Sequence, residues 1–241
     1  MKLEVRLPAG ERTFAVDLDL PGETASPASL APVLHQLSSA LTDFQLDGLP
    51  LPPSCRRACS ACCKQLVPVS EPEMHAMAGL IERLGTDHRE RVTARFNSLL
   101  RRLNSAGLSD RLRAPPSDPD DYQRLMRDYF ELGIDCPFLE NRACSIYPDR
   151  PSLCRQYNVT SSAALCDNPF EYDISMVPMP AFIDNLCSKA YADLHQVKIK
   201  VTPIPLALEW VELNSEHLPA VPLLPVLHHI LALLEQALAD C

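Results

Sequence analysis

Apolar residues recur along most of the chain with the spacing of an α-helix. Between about Ser29 and Phe44 they fall on one side of a helical projection, with polar residues on the other. Comparable patterns predict further helices over residues 70–84, 87–103, 118–132, 179–194 and 223–239, and residues 206–213 also fit a helix. The chain is therefore predicted to be mostly α.

A second pattern, alternation of apolar and polar positions, marks residues 1–20. The alternation lies on both sides of Pro8-Ala9-Gly10, which is typical of a β-hairpin that turns there. Shorter strands are expected within residues 65–69 and 197–201. We therefore expect an N-terminal β-hairpin, a few short strands, and helices packed around a loop-rich cysteine cluster.

The cysteines form the most informative pattern in the sequence. Eight of the ten fall into two groups of four. The first group has the spacing C-x3-C-x2-C-C and consists of Cys55, Cys59, Cys62 and Cys63. The second group consists of Cys136, Cys144, Cys154 and Cys166. We exclude Cys187, on the apolar side of a predicted helix, and the terminal Cys241 as ligands.

Composition decides how these thiols are interpreted. The formal net charge is -9, which disfavours nucleic acid as a partner because phosphate binding needs a basic surface. Residues 1–20 lack the apolar core of a secretory signal, and no apolar stretch is long enough to span a membrane. We therefore expect a cytoplasmic protein that does not bind membranes. In that compartment clustered cysteines bind metal more often than they form disulfides.

Thiolate ligands select zinc, cuprous copper or iron–sulfur clusters over hard cations. Four cysteines can hold a tetrahedral zinc ion or an iron–sulfur cluster. The eight clustered cysteines therefore supply either two four-ligand sites or one cluster with spare thiols. The expected cofactor is a zinc or iron ion, with a [4Fe–4S] cluster as an alternative. Because Cys62 and Cys63 are adjacent, we expect them to point apart, so that they serve different sites or one stays unliganded.

Charged and aromatic residues beside the second group are candidates for tuning the metal. Cations near a thiolate lower its pKa and offset the charge of a site with several thiolates, and tyrosine hydroxyls can donate to sulfur. The candidates are Arg150, Arg155, Tyr147 and Tyr157. The alternative for Arg150 is an ordinary ion pair with Asp149 or Glu140.

Three further features of the helical regions bear on organisation. Ser70-Glu71-Pro72-Glu73 predicts a capping box at the start of a helix. His35 lies off the apolar stripe of its helix and is expected to be solvated. The helix over 87–103 carries five arginines on its polar side. They would suit an acidic protein partner, although such patterns more often mark a solvated face balanced by neighbouring acids.

The cysteine blocks resemble the YkgJ family of cysteine-cluster proteins, described as zinc- or iron-chelating domains. The resemblance covers about residues 55–166, and the segment around Cys166 matches more loosely. The matching blocks are Cys55 to Cys63, Cys136-Pro137-Phe138-Leu139, Cys144-Ser145-Ile146-Tyr147, and Arg150-Pro151-Ser152-Leu153-Cys154-Arg155. This resemblance implies metal binding and no particular reaction. We divide the chain into an N-terminal hairpin and helix (1–48), a cysteine-cluster domain (49–170) and a C-terminal helical extension packed on the same core (171–241).

Three functions fit this sequence. The leading hypothesis is a metal-binding protein with a structural, storage or delivery role. The second is an enzyme that uses S-adenosylmethionine, since Cys55, Cys59 and Cys62 have the spacing of radical-SAM enzymes and FliB-type flagellin lysine methylases carry a related block. Against it, the sequence shows neither a βα repeat nor a Gly-rich methyl-donor loop. The third is a zinc-stabilised scaffold for a protein partner.

Overall fold

The computed structural model of the protein describes residues 1–195, 201–214 and 221–240. These residues are mostly helical, as predicted. The α-helices are α1 (Pro27–Asp47), α2 (Glu71–Arg83), α3 (Thr86–Ser105), α4 (Ser109–Arg113), α5 (Pro119–Glu131), α6 (Ser152–Gln156), α7 (Ile183–His195), α8 (Ala207–Leu213) and α9 (Leu223–Ala239). The strands are β1 (Lys2–Ala9), β2 (Arg12–Asp19), β3 (Thr24–Ala25), β4 (Pro68–Val69), β5 (Leu139–Glu140), β6 (Ala143–Cys144), β7 (Thr202–Pro203) and β8 (Val221–Pro222).

The predicted N-terminal hairpin is present. Strands β1 and β2 pair antiparallel from Lys2 opposite Asp19 to Ala9 opposite Arg12. The turn therefore lies one step later than predicted, at Gly10 and Glu11, and Gly10 takes the left-handed φ of +60° that glycine tolerates best. One face of the hairpin joins α1, α7 and α9 in the first hydrophobic core. The two ends of the chain thus share a core.

Two further cores enclose the cysteine-bearing segments. One contains residues of α2 and α3 together with Phe138, Ile146 and Ile204. The other packs α3, α4 and α5 around Leu66, Ile134 and Leu206. Because both cores combine residues that follow the first cysteine group with residues around the second, the helices between the groups return the chain to its starting point.

Local sequence explains where the helices around the site begin. Asp118 caps α5 by accepting the N–H groups of Asp120 and Asp121, at 3.1 and 3.0 Å. Glu73 Oε2 accepts the Ser70 N–H at 3.1 Å, as the predicted capping box requires. Every described strand pairs antiparallel, and the pairs are β1–β2, β3–β8, β4–β7 and β5–β6. The described part therefore contains no parallel βα barrel.

Some local predictions need correction. The segment before α5, where no helix was predicted, contains the short helix α4, which buries Leu112 in the third core. His35 is mostly buried, with its side chain 14% exposed, because it faces the buried Glu73 of α2. The predicted strand residues Val197 and Ile199 lie outside the described residues. No helix among the described residues is both long and apolar enough to cross a membrane. The three-part division of the chain stays a prediction.

Candidate metal centre

The cysteines of both groups lie on short, irregular elements. Cys62 and Cys63 belong to a turn of 3₁₀-helix over Ala61–Lys64. Cys136 precedes the β5–β6 hairpin and Cys144 ends it. Cys154 lies on α6, and Cys166 on a second 3₁₀ turn. Because such elements leave backbone N–H groups without partners within the element, those groups can bond to sulfur.

Backbone hydrogen bonds join the two groups directly. The Cys136 N–H donates to the carbonyl oxygen of Cys63 at 2.7 Å, although 73 positions separate these residues. Ser54, just before the first group, donates its N–H to the Val159 carbonyl at 2.8 Å. The predicted convergence of two distant segments is therefore a feature of the backbone as well as of the side chains.

Six cysteines line a single cavity of about 120 Å³. They come from both groups: Cys59, Cys62, Cys63, Cys136, Cys144 and Cys154. Cys55 and Cys166 do not line the cavity. They lie beside it, where charge on Cys55 would act on Cys166, and Cys59 and Cys62 lie close to both. The structure thus brings all eight predicted ligands into one region, six of them around a common space.

The expectation that Cys62 and Cys63 point apart is wrong. Both line the cavity, and their thiols are hydrogen-bonded to each other. The tight 3₁₀ turn that carries them allows adjacent side chains to reach the same space.

Backbone N–H groups point at three of the sulfurs. Phe138 N–H donates to Cys136, and Ile146 N–H donates to Cys144. In both cases the donor is two residues after the cysteine. Val159 N–H also donates to the sulfur of Cys55, although these two residues are far apart in sequence. Hydrogen bonds of this kind favour the thiolate over the thiol, and they tune the properties of a bound metal.

Burial has the opposite effect on the cysteines and favours the neutral thiol. It raises the pKa of the Cys136 thiol to about 12 and that of Cys166 to about 11. Burial also raises the pKa of Cys154 well above its usual value, and the neighbouring cysteines add to the shift. Without a bound metal these groups are therefore neutral thiols at neutral pH. A bound metal would have to displace their protons.

Arg150 is the cation placed to offset thiolate charge. It lines the cavity and stacks on Tyr147, with the guanidinium carbon 4.2 Å from the ring centroid. Its Nε is buried and has no hydrogen-bond partner among the described residues. Its charge lowers the pKa of Cys62, Cys144 and Cys154. The hydrogen bond with Cys63, followed by burial, outweighs this effect at Cys62, and burial outweighs it at Cys144 and Cys154. The alternative pairing with Glu140 is not observed, because Glu140 binds Arg91 and Arg95 of α3.

Arg155, by contrast, does not line the cavity. Its guanidinium donates to the Arg150 and Pro148 carbonyls and to Ser39 of α1, so it holds the segment that precedes Cys154. Tyr147 and Tyr157 both line the cavity, and the Tyr157 hydroxyl accepts a hydrogen bond from Gln65 at 3.2 Å.

Several residues that line the cavity were not predicted from sequence. Tyr129 of α5, Phe138, Ile204 and Pro205 supply apolar surface opposite the thiols. Phe138 lies in the Cys-Pro-Phe-Leu block and could have been proposed from its position there. Ile204 and Pro205 follow β7, which pairs with β4, and no local pattern identified that pairing.

The donor set fits zinc or iron, because thiolates prefer these metals. In the described part of the chain, however, no group of three or more His, Cys, Asp or Glu side chains is arranged to hold a metal ion as it stands. The sulfurs surround a space instead. A water molecule needs roughly 10–15 Å³ measured in the same way, so the cavity has room for more than one atom of that size.

The site and fold together define a cysteine-lined cavity within a mostly helical protein. Residues 54–172 match the family model "CxxCxxCC: Putative zinc- or iron-chelating domain". The match covers 119 of the 241 residues and agrees with the resemblance of the cysteine blocks. No curated protein and no solved structure matches the chain significantly.

Proposed function

We propose that the protein binds zinc or iron at a single centre formed by both cysteine groups. The observation that carries the proposal is the cavity lined by Cys59, Cys62, Cys63, Cys136, Cys144 and Cys154. Nearby Arg150 and the backbone N–H groups at sulfur supply the charge compensation that a centre with several thiolates needs.

The size of the cavity favours a polynuclear centre over a lone ion. A closed structural zinc site needs four ligands converging on one point. Six thiols around about 120 Å³ leave room for bridging atoms, and an iron–sulfur cluster contains such atoms as sulfide. Bound there, a cluster would supply one-electron redox chemistry. The protein's own contribution is to exclude solvent and to set the charge around the sulfurs.

The test is anaerobic purification, followed by measurement of iron, zinc and acid-labile sulfide and by optical spectroscopy. We expect a brown protein that contains iron and sulfide. A colourless protein that contains zinc would overturn the cluster and leave a zinc-stabilised domain. A protein without either metal, even after anaerobic reconstitution, would overturn the proposed function.

Single substitutions test whether the two groups serve one centre. Cys59→Ser and Cys154→Ser remove one thiol from each group, and each is expected to lower metal affinity by roughly tenfold or more. Cys187→Ala is the matched control, because Cys187 is buried in the first core away from the cavity. Full metal content after either serine substitution would remove that cysteine from the ligand set.

The enzymatic alternative has less support. The described strands pair only antiparallel, whereas the radical-SAM hypothesis required alternating βα units.

The arginines of α3 also offer little to an acidic partner, since Arg91 and Arg95 bind Glu140 and Arg102 donates to the Leu132 carbonyl.

A further inference from the structure

Glu73 is a buried carboxylate that joins two distant helix ends. It is the third residue of α2 and only 3% exposed. Its Oε2 accepts from Ser70 N–H at 3.1 Å and from Ser70 Oγ at 2.9 Å. Its Oε1 accepts the Ser152 N–H at 2.6 Å, across 79 positions of sequence. A single carboxylate therefore caps the start of α2 and also bonds to the first residue of α6.

This contact supplies the N-terminal acceptor that α6 lacks, because α6 has no side-chain cap of its own. Its N-cap residue is Pro151, whose side chain has no polar atom. The helix is only five residues long, and Cys154 is its third residue. Since so short a helix does not persist alone, its position must come from contacts outside it.

The surroundings favour the charged form of Glu73. Burial alone would raise its pKa, but the adjacent His35 and the N–H groups of Ser152 and Ser70 outweigh burial, so the pKa lies below its usual value. His35 Nε2 is 3.7 Å from Oε1, which is beyond hydrogen-bond distance, so its effect is electrostatic. Burying a carboxylate is costly unless it is fully hydrogen-bonded, and here three donors meet that need.

We infer that Glu73 is a positioning residue of the metal centre, which fixes α6 so that Cys154 faces the cavity. Glu73 does not line the thiol cavity, so it would act through α6 alone. The inference rests on the proposed function in one respect, namely that Cys154 is a ligand.

The test compares variants that alter the contacts of Glu73 with Ser70 at the start of α2 and with Ser152 of α6. Glu73→Gln weakens the contacts to both helices, since one amide oxygen cannot serve Ser70 N–H and Ser152 N–H together. Ser70→Ala is the matched control: it removes the Ser70 hydroxyl contact at α2 and keeps the Glu73–Ser152 bond. Ser152→Pro removes the α6 donor instead, and proline suits the first position of a helix.

Two readouts separate positioning from general destabilisation. The first is the alkylation rate of Cys154 relative to Cys144 in the reduced, metal-free protein, measured by peptide mass spectrometry. We expect this ratio to rise about tenfold or more in Glu73→Gln and Ser152→Pro, because α6 opens locally. The second is the absorption spectrum after titration with Co²⁺, where we expect apparent affinity to fall by about 10–100-fold.

The outcomes are distinguishable. An unchanged Cys154-to-Cys144 ratio in Glu73→Gln and Ser152→Pro, or an equal rise in Ser70→Ala, would overturn the positioning role. If Glu73→Gln does not fold, Ser152→Pro decides alone. If the unaltered protein bound no Co²⁺, the proposed function would fail, while the alkylation ratio would still report whether Glu73 holds α6.

Discussion

Asp184 is a carboxyl group buried near the start of α7. It is 1% exposed, and neither carboxylate oxygen has a hydrogen-bond partner among the described residues. Burial, with a smaller contribution from the negative charge of Glu73, raises its pKa from 3.8 to about 7. The folded protein therefore holds a proton here that the unfolded chain releases above about pH 4.

This shift makes stability depend on pH. Because the folded pKa is the higher one, the favourable contribution is complete below the unfolded pKa and is lost as pH rises through about 7. Asp184→Asn removes the charge, so its stability relative to the unaltered protein should improve by about 2–3 kcal/mol between pH 5 and pH 8. Urea unfolding of both proteins at the two pH values measures this difference.

An exposed carboxylate provides the control. Asp43 lies on the solvent side of α1, and Asp43→Asn removes a carboxylate from that exposed position. If Asp184→Asn changed stability equally at both pH values, Asp184 would be ionised in the folded protein throughout this range.

At the scale of single elements, the backbone conformation just after α5 determines how a substitution there changes stability. Gly133 has a φ of +57°, and its N–H bonds to the Phe130 carbonyl at 2.9 Å. A methyl group would meet nothing within 4 Å, so an alanine there suffers only from the left-handed backbone. Gly133→Ala should destabilise the protein by about 1–2 kcal/mol.

The same substitution should have the opposite effect inside α2. Gly79 is a helix-interior residue, and an added methyl would lie 3.2 Å from Arg83 Nη1 at the end of an exposed, flexible side chain. Because Arg83 can move, Gly79→Ala should stabilise the protein by up to about 1 kcal/mol. Chemical denaturation of both variants checks the pair. Changes of the same sign would refute the backbone argument.

Local sequence was sufficient to predict most elements but not their partners. The stripe of α1 and the capping box of α2 depend on neighbouring residues, so sequence alone revealed them. Boundaries were less accurate: Ser26, three residues ahead of the expected start at Ser29, caps α1 through the Ser29 N–H. The short α4 was missed because only tertiary packing of Leu112 justifies it.

The same contrast between local pattern and tertiary contact applies to the cysteine site. Cysteine spacing predicted which residues converge, and the structure places all eight in one region. Cysteine spacing did not predict that Cys62 and Cys63 share a cavity, since that depends on the 3₁₀ turn. Nor did it predict the Glu73–Ser152 bond, because no local pattern encodes a contact across 79 positions.

At the scale of the whole molecule, a metal at the cavity would join segments that are distant in sequence. The Cys136–Cys63 backbone bond links the two cysteine groups, and the Ser54–Val159 and Gln65–Tyr157 bonds link the residues beside them. A ligand that binds only the folded state stabilises it by roughly 2.7 kcal/mol at about 100 times its Kd. Metal addition should therefore raise the unfolding temperature.

The size of that increase should depend on pH. The pKa of Cys136, about 12, and the raised pKa of Cys154 mean that binding displaces protons from both thiols. Each displaced proton weakens apparent affinity by about tenfold for every unit by which pH falls. Zinc should thus raise the unfolding temperature of the reduced protein more at about pH 7.5 than at about pH 6. Differential scanning calorimetry with and without zinc tests this, with Cys154→Ser as the variant that should lose most of the effect. Equal stabilisation at both pH values would mean that the bound thiols carry no protons to release, contrary to the burial seen around them.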